Sequence, residues 1–166
     1  KKTAQGASNE SAWARGQAWA LYGFTMCYRE TKDKNYLNQA EHIASFILNN
    51  PHLPKDMVPY WDFDAPGIPN EPRDASAAAV MASALYELST YSKNKKEYRK
   101  AADKIVQSLT RSYRSPRGAP QGFLLLHSTG SKPVNREVDV PLIYADYYYL
   151  EALLRMKKLN EGEKLF

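Results

Sequence analysis

Apolar residues recur at helical spacing in five stretches of this 166-residue chain, and the polar positions sort those stretches into two kinds. Leu37, Ala40, Ile43, Ala44 and Ile47 form one stripe, which predicts an amphipathic helix over 35–48, opened by Asp33 or Lys34 and stopped by Pro51. Tyr98, Ala101, Ala102, Ile105, Val106 and Leu109 form another, predicting a helix from Lys95 to Tyr113 with a charged outer face. The other three stretches are rich in alanine and aromatics almost all round, as fully buried helices are. They run from about Ala12 to Glu30 with Ser11 as the expected N-cap, from Asp74 or Ser76 through AAAVMASALYELSTY, and through LIYADYYYLEALLRMKK near the end. Between the second and third helices lies NNPHLPKDMVPYWDFDAPGIPNEPR, with six prolines and no helical pattern. A Pro/Gly turn follows the fourth helix, and then FLLLH, an apolar run short enough for a strand.

The order of the elements carries the architecture. All-round apolar helices alternate with amphipathic ones, and their starts near Ser11, Asp74 and Leu142 lie roughly 60–70 residues apart, longer than common solenoid repeats. An inner ring of buried helices, an outer ring of amphipathic ones and long loops at one end is the plan of an α/α toroid. Five helices cannot close such a ring, so the expectation is part of one.

Composition narrows the function classes without choosing among them. Apolar residues make up 43% and charged residues 25% of the chain, ordinary for a globular domain. No apolar run approaches the roughly 20 residues of a membrane span, and KKTAQGASNE has no apolar segment that would make it a signal peptide. The one cysteine, Cys27, excludes a disulfide within the chain and a cysteine-based zinc site, and is expected to be a buried small hydrophobe. It suits a reducing compartment and is equally compatible with a bacterial periplasm, so location is left between periplasm and cytoplasm. The net charge of +5 is spread thinly outside KNKKEYRK and the MKK near the end, both on helical segments, so neither nucleic acid nor membrane is an expected partner. Twelve tyrosines and three tryptophans suggest amphipathic surfaces lining a cleft.

Candidate chemistry begins in SAWARGQAWALYGF. Arg15 and Trp19 are four apart and share one helical face. A guanidinium beside an indole near a helix N-terminus suits a carboxylated sugar. The ordinary reading is that Trp13 and Trp19 are core and Arg15 pairs with a buried acid. Residues alone leave both open.

The residues Gln5-Gly6 and Ser11-Ala12-Trp13-Ala14-Arg15-Gly16-Gln17-Ala18-Trp19 resemble the unsaturated glucuronyl hydrolases, glycoside hydrolase family 88. The resemblance continues through Pro59-Tyr60-Trp61-Asp62-Phe63-Asp64-Ala65-Pro66 and Arg73-Asp74-Ala75-Ser76-Ala77, and returns at Ile143-Tyr144-Ala145-Asp146-Tyr147-Tyr148. It covers nearly the whole chain. It implies an all-α, six-hairpin (α/α)6 toroid, with residues 1–166 forming the C-terminal part of one barrel-shaped catalytic domain. The implied reaction adds water across the vinyl-ether double bond of an unsaturated uronate left by polysaccharide lyases. The resulting hemiketal opens and releases the neighbouring sugar. An aspartate serves as general acid and base, with no metal or organic cofactor. The family's pocket residues carry over to Gln5 for hydrogen bonding, Arg15 for the uronate oxygens and Trp19 for the wall.

The family's two active-site aspartates lie upstream of the Trp–Arg motif, before Lys1. The expectation is therefore the C-terminal half of a longer enzyme, partnered by the missing N-terminal half and inactive alone. Within the chain, Asp74 reads as a helix cap or a partner of Arg73, and Asp146 needs a buried partner such as Arg15 or Arg73. Asp62, Asp64, Glu137 and Asp139 give no catalytic signal, so no catalytic residue is assigned.

The loop His127-Ser128-Thr129-Gly130-Ser131-Lys132-Pro133 precedes the last inner helix and should reach the mouth of the cavity. Hydroxyls of Ser128 and Ser131 with the Lys132 ammonium can hold a sulfate, which favours chondroitin- or heparin-type disaccharides; a solvated turn is the plainer reading. His42 and His52 are expected on the surface. An unsaturated rhamnogalacturonyl hydrolase or another toroid sugar enzyme is the nearest alternative, although such hydrolases carry Asn-Gly where this chain has Gln17-Ala18. A non-enzymatic helical-repeat module is the alternative of another class.

Overall fold

The computed structural model describes residues 3–119 and 122–166; Lys1, Lys2 and, in the expected Pro/Gly turn, Pro120 and Gln121 lie outside the described residues. The five expected helices are present: α1 (Ala14–Thr31), α2 (Lys34–Leu48), α3 (Ala75–Leu88), α4 (Lys95–Ser108) and α5 (Ile143–Asn160). Every residue of α3 is buried, because α1 and α5 flank it while α4 backs it. Its alanines let those neighbours approach closely. Helices α2 and α4 lay the stripes Ala40–Ile43–Ala44–Ile47 and Tyr98–Ala101–Ala102–Ile105–Val106 against the inner layer. Three inner helices backed by two outer ones form an arc of an α/α toroid.

The ends of the elements follow local chemistry. Asp33 caps α2 by accepting from the Asn35 N–H, and Asp74 caps α3 by accepting from Ser76 and Ala77. Helix α4 gives way to a π-helical turn at Leu109–Tyr113 where a continuous helix was expected.

Four expectations need correction. Ser11 does not cap the first helix: Trp13 holds the N-cap position without a side-chain cap. The Ser11 hydroxyl donates instead to buried Asp62 at 2.8 Å, which also accepts from the Ala7 N–H at 2.9 Å. FLLLH is not a strand; Leu125 makes only an isolated bridge with Arg114. Of the three helices expected to be buried all round only α3 is: α1 and α5 each bury five of their 18 residues, and in α5 Ile143, Tyr147, Leu150 and Leu154 are 54–72% exposed. Those four residues share the flank of α5 turned away from α3, at the end of the arc. Cys27, expected to be buried, is only half-buried, and it is free. Both His42 and His52 are exposed, as expected. Among the described residues, no helix is long and apolar enough to cross a membrane.

Candidate functional site

The N-terminal ends of α1 and α3 lie at the same end of the arc, and a hairpin over residues 128–140 folds across them. Its base is Ser128 and Val140, which exchange backbone hydrogen bonds of 2.9 Å. Farther out, Ser131 and Arg136 exchange another pair of 2.9 Å, and the Gly130 N–H donates to the Glu137 carbonyl at 2.7 Å. A Cβ at Gly130 would come within 2.7 Å of the Glu137 Cβ, so the tight crossing requires glycine there. A 3₁₀ turn at Lys132–Val134 forms the tip.

Arg15 sits under this hairpin with only 3% of its surface exposed. Its guanidinium donates to the Asp74 carboxylate at 2.9 Å, the Ser76 hydroxyl at 3.3 Å and the carbonyls of Thr129 and Gly130 at 2.5 Å each. Trp13 and Tyr144 cover its faces, with ring centres 4.8 and 5.3 Å from the guanidinium carbon. Trp13 folds back over Gly16, where a Cβ would approach its indole to 2.8 Å. The Gln5 amide donates to the same Gly130 carbonyl at 2.9 Å. Two residues of the N-terminal segment therefore meet at one peptide group more than a hundred residues on.

Burial pushes the Asp74 carboxyl up, while the Arg15 charge and hydrogen bonds from Ser76, Ala77 and Thr129 pull it down. Asp74 thus pairs with Arg15, not Arg73, which bonds the Val58 carbonyl at 2.9 Å and pairs with Asp56. Asp146 does not find an arginine either. Its two carboxylate oxygens accept from the Leu124 and Leu125 N–H groups at 2.8 and 2.9 Å. FLLLH therefore divides its backbone bonds: Leu124 and Leu125 donate to the carboxylate, while Leu126 donates to the Tyr113 carbonyl at 2.8 Å.

One turn along α1 from Arg15, half-buried Trp19 packs on Tyr148 and Tyr144, with centroid separations of 5.1 and 6.3 Å. Tyr22 continues the row against Tyr148 at 5.2 Å. Burial raises the Tyr144 hydroxyl, which stays protonated and able to donate. Of the loop residues, Ser128 is fully buried with no hydrogen-bond partner for its hydroxyl among the described residues. Ser131 and Lys132 are half-buried next to the hairpin tip. His127, on the exposed side, bonds Asp139 at 2.7 Å.

The structure therefore brings Gln5, Arg15, Ser128, Ser131 and Lys132 to one hairpin, with Trp19 beside them. Asp74 as the mate of Arg15 and Tyr144 as the second wall of its sandwich were missed, although both lie inside the motifs quoted above. Asp62 is wholly occupied as well, since it also accepts from the Asp64 N–H at 2.9 Å. Among the described residues, no group of three or more His, Cys, Asp or Glu is placed to hold a metal.

No protein-family model matches the chain. An unsaturated glucuronyl hydrolase of Formosa agariphila is 50% identical over 160 residues, covering 96% of this chain and 40% of that protein. The chain aligns with unsaturated glucuronyl hydrolases along nearly its whole length. A solved unsaturated glucuronyl hydrolase specific for heparin superposes with a TM-score of 0.94 at 53% identity, over 96% of this chain and 43% of that one. A variant unsaturated glucuronyl hydrolase of Streptococcus agalactiae, complexed with dGlcA-GalNAc6S, superposes with a TM-score of 0.88 at 36% identity, over 99% of this chain and 44% of that one. The chain spans about two fifths of the length of the curated relatives it matches.

Proposed function

We propose that the protein carrying this chain is a glycoside hydrolase that hydrates the unsaturated uronic acid at the non-reducing end of lyase-generated oligosaccharides. Its substrates are glycosaminoglycan disaccharides of chondroitin or heparin type, and residues 1–166 form the C-terminal part of one α/α-barrel catalytic domain. The observation that carries this reading is the meeting of Gln5 and Arg15 at the Gly130 carbonyl, beside the Trp19–Tyr148–Tyr144 row.

That arrangement suits a planar, anionic ring. The half-buried Trp19 indole offers a stacking face for a pyranose. Gln5 spends one amide N–H on Gly130, which leaves its second N–H and its carbonyl oxygen for a sugar hydroxyl. Arg15, its charge matched by Asp74, lies beneath the wall, and its N–H groups hold the loop that borders the sugar. Ser131 and Lys132, with Ser128 beneath them, form the place for a sulfate on the second sugar.

Hydration of the double bond delivers a proton to one carbon and water's oxygen to the other; the hemiketal then opens and the neighbouring sugar leaves. The buried carboxylates here are committed elsewhere: Asp62 to the N-terminal segment, Asp74 to Arg15, Asp146 to backbone amides. The acid/base aspartate is assigned, as the resemblance to the glucuronyl hydrolases implies, to the part of the ring outside this chain. The exposed α5 stripe is the flank on which that part docks.

The test is ultraviolet absorbance of the substrate double bond. The whole protein should remove that band from an unsaturated disaccharide and release no sugar from a saturated one, whereas residues 1–166 alone should turn over neither. Turnover by the isolated chain would overturn the assignment of the acid/base outside it, and no turnover by the whole protein would overturn the reaction.

A further inference from the structure

The N-terminal cap of α3 does more than end a helix. Asp74 is completely buried, and its two oxygens serve three different elements. Oδ1 accepts from the Ser76 and Ala77 N–H groups at 3.1 and 3.3 Å, from the Ser76 hydroxyl at 2.5 Å and from the Thr129 N–H at 3.4 Å. Oδ2 accepts from Arg15 at 2.9 Å. The same guanidinium donates to the Thr129 carbonyl, so Thr129 is gripped at both of its backbone atoms by the two members of one buried ion pair. Its hydroxyl adds a bond of 3.0 Å to the Arg73 carbonyl.

The hairpin is consequently anchored at one strand of its base. The His127 carbonyl accepts from the Ala75 N–H at 3.0 Å, Thr129 is held by Asp74 and Arg15, and Gly130 by Arg15 and Gln5. Residues 133–137, beyond those anchors, are exposed. Ser131 and Lys132 are the next residues after the anchored peptide, so the clamp sets where their side chains stand. A guanidinium without its carboxylate would remain buried and uncompensated, and it would leave the pocket or draw in water. Either response releases the Thr129 and Gly130 carbonyls.

We propose that Asp74 is a positioning residue for substrate binding: without touching substrate, it locks Arg15 onto the Thr129–Gly130 peptide and so sets the hairpin against Gln5 and Trp19. This rests on the function proposed above. It assigns Asp74 a role in affinity that a helix cap alone would not have. It also separates Asp74 from the acid/base chemistry, because its removal acts on the binding wall and leaves the hydration step to groups elsewhere in the ring.

The experiment is steady-state kinetics of the whole protein on an unsaturated disaccharide, with thermal unfolding measured alongside. Asp74→Asn keeps the Oδ1 acceptor for the α3 cap and replaces the partner of Arg15 with an uncharged amide. We expect KM to rise about tenfold or more, the scale of loss for a displaced positioning group, with kcat changed by less than about threefold. Arg15→Met should raise KM at least as far, and adding Asp74→Asn to it should raise KM no further, since both act through one clamp. A folded Asp74→Asn protein with unchanged KM, a loss confined to kcat, or additive effects in the double variant would each overturn the proposal. Should Asp74→Asn not fold, Ser76→Ala, which removes a hydroxyl bonded to both partners, takes its place. A threefold or greater rise in its KM supports the clamp, and an unchanged KM overturns it. Wild-type protein inert toward the disaccharide would instead remove the underlying reaction, which keeps the two failures distinct.

Discussion

Replacing Glu87 by alanine should remove the pin that joins the far ends of the three inner helices. Glu87 lies thirteen residues along α3 from Asp74, about 20 Å at 1.5 Å per residue, and is 1% exposed. Its carboxylate accepts from Arg29 of α1 at 3.1 Å and pairs with Arg155 of α5 at 3.0 Å, and the Tyr91 hydroxyl donates to it at 3.3 Å. Phe166 covers both guanidinium groups. Breaking a buried pair from one side costs about 3–5 kcal/mol, because the other charge is left without compensation. Here neither arginine is wholly orphaned: Arg29 keeps Glu30 at 2.7 Å, and Arg155 keeps the Ser83 carbonyl at 2.8 Å and Glu151 at 3.5 Å. The low end of the range applies, so Glu87→Ala should destabilise by about 3 kcal/mol. At roughly 2–4 °C per kcal/mol for a domain of this size, the midpoint of thermal unfolding should fall by about 6–12 °C. Urea unfolding followed by far-ultraviolet circular dichroism should give a lower midpoint at an unchanged slope. Glu87→Gln, which retains one acceptor, should lose about half as much. A loss below about 1 kcal/mol for the alanine variant would show the cluster to be wetted and weak, and the reasoning would fail.

Three further outcomes follow from single contacts. Asp146→Ala leaves two amide donors without their acceptor and should cost about 2–4 kcal/mol, with faster hydrogen exchange at Leu124 and Leu125; unchanged exchange there would contradict the role assigned to the carboxylate. Lys132→Ala in the whole protein should weaken sulfated disaccharides selectively, and equal losses on sulfated and plain substrates would sink the sulfate site. Tyr22 and Tyr91 are each pushed from 10.0 up to about 12, by burial first and then by Glu151 and Glu87 respectively. The unfolded chain therefore releases those protons before the folded one does, so the folded state holds more protons between these values. Their contribution to stability is intact below pH 10 and is lost as pH rises towards 12. Tyrosinate absorbance should show both groups titrating late in the folded protein, and normal titration of both would remove the effect.

Much of the architecture was legible from local periodicity. The stripes of the second and fourth helices, the aspartate caps at Asp33 and Asp74, and the all-round burial of the alanine-rich third helix depend on neighbours within a turn or two. Spacing placed Arg15 and Trp19 on one helical face, whereas Gln5 and the binding roles of all three came from the resemblance to the glucuronyl hydrolases. The signals that misled were local signals overruled from a distance. Ser11 has the chemistry of an N-cap, yet Asp62, 51 residues away, takes its hydroxyl. FLLLH has the composition of a strand, yet Asp146 takes the Leu124 and Leu125 amides.

The sequence by itself determined which segments are helical, which faces α2 and α4 bury and which residue types stand near the Trp–Arg motif. The tertiary structure alone decided who partners whom: Arg15 with Asp74, 59 residues on, and with Gly130, 115 residues on. It also decided that the α5 stripe lies open at the end of the arc. The physical reason is that burial makes pairing obligatory without naming the partner. A buried charge must find an opposite charge or a set of dipoles, and only the packing of α1, α3 and the hairpin determines which of these is within reach.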